Sequence, residues 1–139
     1  MTAEIVRLRD RAPDSEKITI NLGHVDLGQI DLLVREGFYS NRTDLIRTAI
    51  RNEIRLHADD VKRTMVRETL EIGLRHYSRE DLQNVLAAGE MLSVNVIGLA
   101  IIAEDVPAEL ASAAIKSLTV LGTLQASKAV KAALADRLR

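Results

Sequence analysis

The sequence predicts an α+β chain in two parts: a strand–helix–helix unit, followed by a small α/β domain of three βα repeats stacked like a short solenoid. Three observations carry this. Residues 17–22 alternate, with Ile18, Ile20 and Leu22 on one strand face and Lys17, Thr19 and Asn21 on the other. Two helical patterns follow, separated by Gly37 and a capping sequence. An apolar residue followed by glycine then recurs at Ile72-Gly73, Ile97-Gly98 and Leu121-Gly122, spaced 25 and 24 residues apart, each time ahead of a helical stretch.

Taken in order, residues 1–16 read as a flexible arm. Arg7, Arg9 and Arg11 are interleaved with acids, and Pro13-Asp14-Ser15 blocks helix formation into the strand. After the strand, Val25, Leu27, Ile30, Leu33 and Val34 give a helical pattern that stops at Gly37. Asn41-Arg42-Thr43-Asp44 is an N-cap with an acid three positions on, and Leu45, Ile46, Ala49, Ile50 and Ile54 form the buried stripe of the second helix. Residues 58–68 stay helical, with Val61, Met65 and Val66 apolar. They either continue the second helix or form a third, capped by Asp59 or Asp60, that connects the 17–57 unit to the 69–139 domain. Strands are expected at 69–74, 93–99 and 117–124, with helices opened by Ser78-Arg79-Glu80-Asp81, by Pro107 and near Lys128. Right-handed crossovers would place these three units in one parallel sheet, with glycine marking a bend or a close backbone approach in each.

One strand and two helices cannot close a core, because a lone strand leaves both edges unpaired. A second copy of the chain supplies the missing strand across a two-fold axis, and four helices then cover the apolar side of the ribbon. The other side presents Lys17, Thr19 and Asn21 twice. A two-stranded ribbon fits the major groove, where Asn pairs with adenine, Lys with guanine and a Thr methyl touches thymine.

The run from the strand through Gly37-Phe38-Tyr39-Ser40-Asn41-Arg42-Thr43-Asp44-Leu45-Ile46-Arg47 resembles the ribbon-helix-helix (CopG/Arc/MetJ) DNA-binding domain, and its cap is most similar to CopG-type repressors. The resemblance covers a quarter to a third of the chain. It implies an obligate homodimer that binds double-stranded DNA as a transcriptional regulator, most simply a repressor. Base readers would be Lys17, Thr19 and Asn21. Phosphate contacts would fall at Asn41, Arg42 and Thr43, chiefly through backbone N–H groups at the helix start. Arg47 and Arg51, one helical turn apart, either join those contacts or pair with neighbouring acids.

Charge limits that expectation. The net charge is −1, and residues 1–57 balance basic against acidic side chains, so non-specific affinity and salt dependence should be modest. With no cysteine there is no disulfide, thiol nucleophile or thiolate metal site, which fits a reducing cytoplasm. Residues 1–16 are not a signal peptide, and the apolar run 91–103 is too short and too polar to span a bilayer, so no membrane role is expected. His24, His57 and His76 are scattered, unlike the histidine-rich regulatory domain of the nickel-responsive relatives, and no metal or cofactor is expected. No nucleotide-loop, nucleophile-elbow or zinc-protease motif occurs, and an enzyme is not expected. The 69–139 half, rich in small apolar residues, is expected to build higher homo-oligomers or to dock a protein. Two other readings stay open: an antitoxin that neutralises a toxin partner, and a scaffold built on the repeats.

Overall fold

The computed structural model describes residues 15–139, so the expected arm of 1–16 lies almost wholly outside the described residues. The chain divides between Ile54 and Arg55 into two compact units.

The first unit holds helices α1 (His24–Arg35) and α2 (Arg42–Leu56). α1 ends in a Schellman closure. Gly37 takes φ +86°, its N–H donates to the Val34 carbonyl at 3.1 Å, and the Phe38 N–H donates to the Leu33 carbonyl at 3.0 Å. Neither helix buries a single side chain. Such a pair leaves its apolar stripes without a covering layer among the described residues.

The second unit opens with α3 (Ala58–Glu68), a separate helix. Its N-cap is His57, whereas Asp59 or Asp60 was expected to cap; both acids lie inside the first turn, where they complement the helix dipole. α3 closes on Thr69 at φ 55°, an uncommon conformation for a β-branched residue. The left-handed turn tucks Leu70 into burial and delays the first strand beyond the expected start at residue 69.

β1 (Glu71–Tyr77), α4 (Arg79–Ala87), β2 (Leu92–Ile102), α5 (Ala108–Ala114), β3 (Ile115–Gln125), α6 (Lys128–Ala133) and a 3₁₀ turn (Ala135–Arg137) complete the chain. The strands run parallel in the order β1-β2-β3. α4 starts with a capping box: the Asp81 N–H donates to Ser78 Oγ at 3.1 Å, and the Ser78 N–H donates to Asp81 Oδ2 at 2.9 Å. β2 and β3 are longer than the alternation indicated. Leu99, Ala100, Ile101 and Ile102 form a continuous apolar run, as buried parallel strands do.

One sheet face carries the core. Val94, Val96, Ala100 and Ile102 of β2 and Leu118 of β3 pack with Leu82 of α4, Ala111 and Ala114 of α5 and Val130 of α6. The opposite face, with Ile72, Leu74, Ile97, Leu99 and Leu121, is only partly covered or open. Gly73, Gly98 and Gly122 stand in register across the three strands, at φ +139°, +138° and +120°. A Cβ on Gly98 would overlap the Gly73 carbonyl oxygen, and one on Gly122 the Gly98 carbonyl oxygen, so each strand's bend is admitted by glycine in the next.

The outer edges of the sheet differ. Leu138 bridges to Leu118 on β3, the Arg139 N–H donates to the Leu118 carbonyl at 2.9 Å, and Arg137 reaches the Ile115 carbonyl at 2.7 Å and that of Ser112. Among the described residues β1 has no such cover, and Glu71 to His76 are all exposed.

Candidate nucleic-acid interface

Residues 16–23 are not assigned to any strand, although 17–22 read as one. The reason is pairing: alternation sets which side chains share a face, but a strand exists only when its N–H and C=O groups meet a neighbour. Ile18 is 72% exposed and Ile20 57%. Leu22, Leu33 and Ile50 are exposed as well, so the first unit leaves several large apolar side chains uncovered. Lys17, Thr19 and Asn21, the expected base readers, are exposed.

The expected phosphate contacts gather at the start of α2. Asn41 is committed to the cap, its Oδ1 accepting from the Asp44 N–H at 2.8 Å. Asp44 reaches back one residue further than in a reciprocal box, accepting from the Ser40 N–H at 3.0 Å. The backbone N–H groups of Arg42 and Thr43 are the first two of the helix, and no acceptor within the helix can reach them. They carry the positive end of the dipole at an exposed position.

The Arg42 side chain is already occupied. Its Nε donates to Asp31 Oδ1 and its Nη2 to Asp31 Oδ2, both at 2.8 Å, a bidentate clamp from the start of α2 to the middle of α1. Sequence reasoning missed Asp31. Eleven residues separate the partners across a turn, and no helical period relates them. This pair leaves the backbone amides, rather than the guanidinium, to meet an anion. Arg47 and Arg51 are exposed and make no ion pair among the described residues.

The Arg42 hydrogen bonds hold the Asp31 carboxyl below its ordinary value of 3.8 and raise the Arg42 guanidinium correspondingly. A carboxyl with a depressed folded value stabilises the fold fully above its unfolded value, and that contribution is lost as pH falls through the lower folded value. The wild-type urea midpoint should therefore fall in the acid window below about pH 4, and Asp31→Asn should lose part of that fall. The shift will be small, because both groups are exposed.

A sequence model described as the ribbon-helix-helix transcriptional regulator family matches residues 13–131. The match does not stop at α2. It continues through all three strands into α6, so the α/β half lies within what the family shares. Neither the curated proteins nor the solved structures give a match. Among the described residues no helix is long and apolar enough to cross a membrane.

Proposed function

Since the chain belongs to the ribbon-helix-helix family of transcriptional regulators, we propose that it works as a homodimer that reads the major groove of an operator and represses the adjacent genes. The observation that carries this is the lack of any buried side chain among the described residues of the first unit, with Ile18, Ile20 and Leu22 uncovered on one side of an extended segment. A second copy pairing its own 17–22 segment antiparallel satisfies the backbone and covers the apolar side in one step. Lys17, Thr19 and Asn21 of both copies then face the base edges, and the free amides of Arg42 and Thr43, held by the Asn41 cap, each clamp a phosphate beside the ribbon.

The 69–139 half has a different task in this reading. Its three βα units form a short repeat stack that joins copies of the chain, so that linked ribbons bind far more tightly than one alone. A folded apolar core distinguishes it from a charged segment that orders only on a toxin.

The test is a binding titration at two salt concentrations, with the duplex from upstream of the protein's own gene and a scrambled duplex. Asn21→Ala should weaken specific binding by roughly 1–3 kcal/mol per half-site, about 5- to 150-fold, while leaving the scrambled duplex and the dimer unchanged. Equal binding of natural and scrambled duplexes by a folded wild-type dimer would reject base readout by the ribbon.

A further inference from the structure

We propose that the open edge of β1 is an isologous contact, pairing antiparallel with β1 of a second copy about a two-fold axis through Gly73 and joining two three-stranded sheets into one of six. This deepens the reading of a self-associating regulator and rests on it.

The argument starts from the two edges of the sheet. The C-terminal residues occupy β3 at Leu118, whereas β1 has no lysine, no proline and no covering segment among the described residues, and its charges are one acid and one guanidinium, Glu71 and Arg75. Ile72 and Leu74 on this strand are 62% and 58% exposed. An apolar strand edge left bare beside one that is blunted calls for a partner strand.

The sequence of β1 identifies that partner. Glu71-Ile72-Gly73-Leu74-Arg75 is complementary to itself when reversed about its glycine. In an antiparallel pair centred there, Glu71 lies opposite the second copy's Arg75, Ile72 opposite Leu74, and Gly73 opposite Gly73. Opposite charges and paired apolar side chains across strands are the favourable combinations, and each occurs twice by symmetry. In the single chain Glu71 and Arg75 can only pair with each other along the strand, and they do so. Pairing with a second copy exchanges the two intrachain contacts, one per chain, for two cross-strand ones and leaves neither Glu71 nor Arg75 unmatched. Any register shifted by one residue would set charge against an apolar side chain.

Gly73 supplies an independent observation. Cβ positions built on Gly98 and Gly122 point at the carbonyl of the preceding strand's glycine, but the same position on Gly73 meets nothing within 4 Å. The space beside Gly73 corresponds to the one that a neighbouring strand fills at the other two glycines. Ile72 and Leu74 share the sheet face of Ile97, Leu99 and Leu121, so the pairing also makes one continuous apolar row from two short ones.

The chain contains no cysteine, which gives a clean test by cross-linking. Full-length protein carrying both Ile72→Cys and Leu74→Cys places cysteines opposite one another, near the Cβ separation of roughly 3.5–4.5 Å that a disulfide needs. Under a mild oxidant this variant should form a covalent dimer on the order of tenfold faster than either single-cysteine variant, whose thiols lie diagonally apart. Adding Glu71→Arg should slow the reaction, because two guanidinium groups would then face each other across the strands. Further adding Arg75→Glu should restore it. Single variants that cross-link as fast as the double, or a rate indifferent to the charge reversal, would overturn the pairing while leaving a dimer seen by sedimentation intact. A chain that sediments as a monomer at every concentration would instead overturn the dimer reading, and this pairing with it.

Discussion

Gly98→Ala is expected to unfold the three-stranded sheet. Two costs fall on one methyl group. The backbone there sits at φ +138°, a region that L side chains rarely adopt, with a penalty of about 1–3 kcal/mol. The added Cβ would also overlap the Gly73 carbonyl oxygen, and the atom in the way is backbone in a central ladder, not a side chain that can swing aside. Relief requires β1 and β2 to separate, which gives up their pairing. A loss of more than about 4 kcal/mol is expected, a large part of the stability of a domain this size. Gly122→Ala should behave alike against the Gly98 carbonyl, and Gly73→Ala, with nothing within 4 Å in the single chain, should carry the backbone cost alone at dilutions where the chains are apart. Denaturant unfolding of the three variants checks the ranking. Equal losses at all three positions would show that strand contact at the glycines is not what limits them.

Ile20→Glu should abolish pairing of the ribbon. Ile20 is exposed in one chain, and in the proposed ribbon dimer the strand and helices of a second copy cover it. Covering an isoleucine stabilises by roughly 1.5–3 kcal/mol, and symmetry counts the substitution twice, so the dimer should weaken by at least about 100-fold before the cost of burying two carboxylates is added. DNA binding should fall with it, because neither the ribbon nor the pair of phosphate clamps exists in a single chain. Thr19→Ala is the control: it sits one residue away on the other strand face and should leave the dimer intact. Sedimentation across a concentration series separates the outcomes. A wild-type assembly whose size Ile20→Glu leaves unchanged at every concentration would mean that the apolar face of residues 18–22 is not an interface.

What could be read from the sequence was local chemistry. Asn41, Ser78 and Gly37 announce helix ends because capping is a matter of three or four consecutive residues. The pattern of 17–22 announces a face, but not the strand itself, since no partner groups for it lie among the described residues. Long-range contacts left no trace in the pattern. Asp31 and Arg42 meet across a turn, Arg137 returns to the Ile115 carbonyl, and the C-terminal residues join Leu118. Each of these residues reads as ordinary surface until the fold brings its partner near. The sequence left one helix or two open at residue 57, and the left-handed Thr69 was silent, because a β-branched residue does not favour the conformation it adopts. The spacing of the apolar-glycine steps was visible, whereas their alignment across one sheet is seen only in the ladder.

The C-terminal residues on β3 have a consequence for how large an assembly can grow. A sheet with two equivalent free edges can add copies head to tail without end, and such growth gives fibres. Here a strand could not run the length of β3's outer edge without displacing Leu138 and Arg139. A strand added at that edge would have to avoid or displace the cover at Leu118, while in the proposed pairing a β1 edge that meets its own likeness is consumed in meeting it. In that pairing the sheets join two by two, and growth beyond six strands would have to come through another part of the chain.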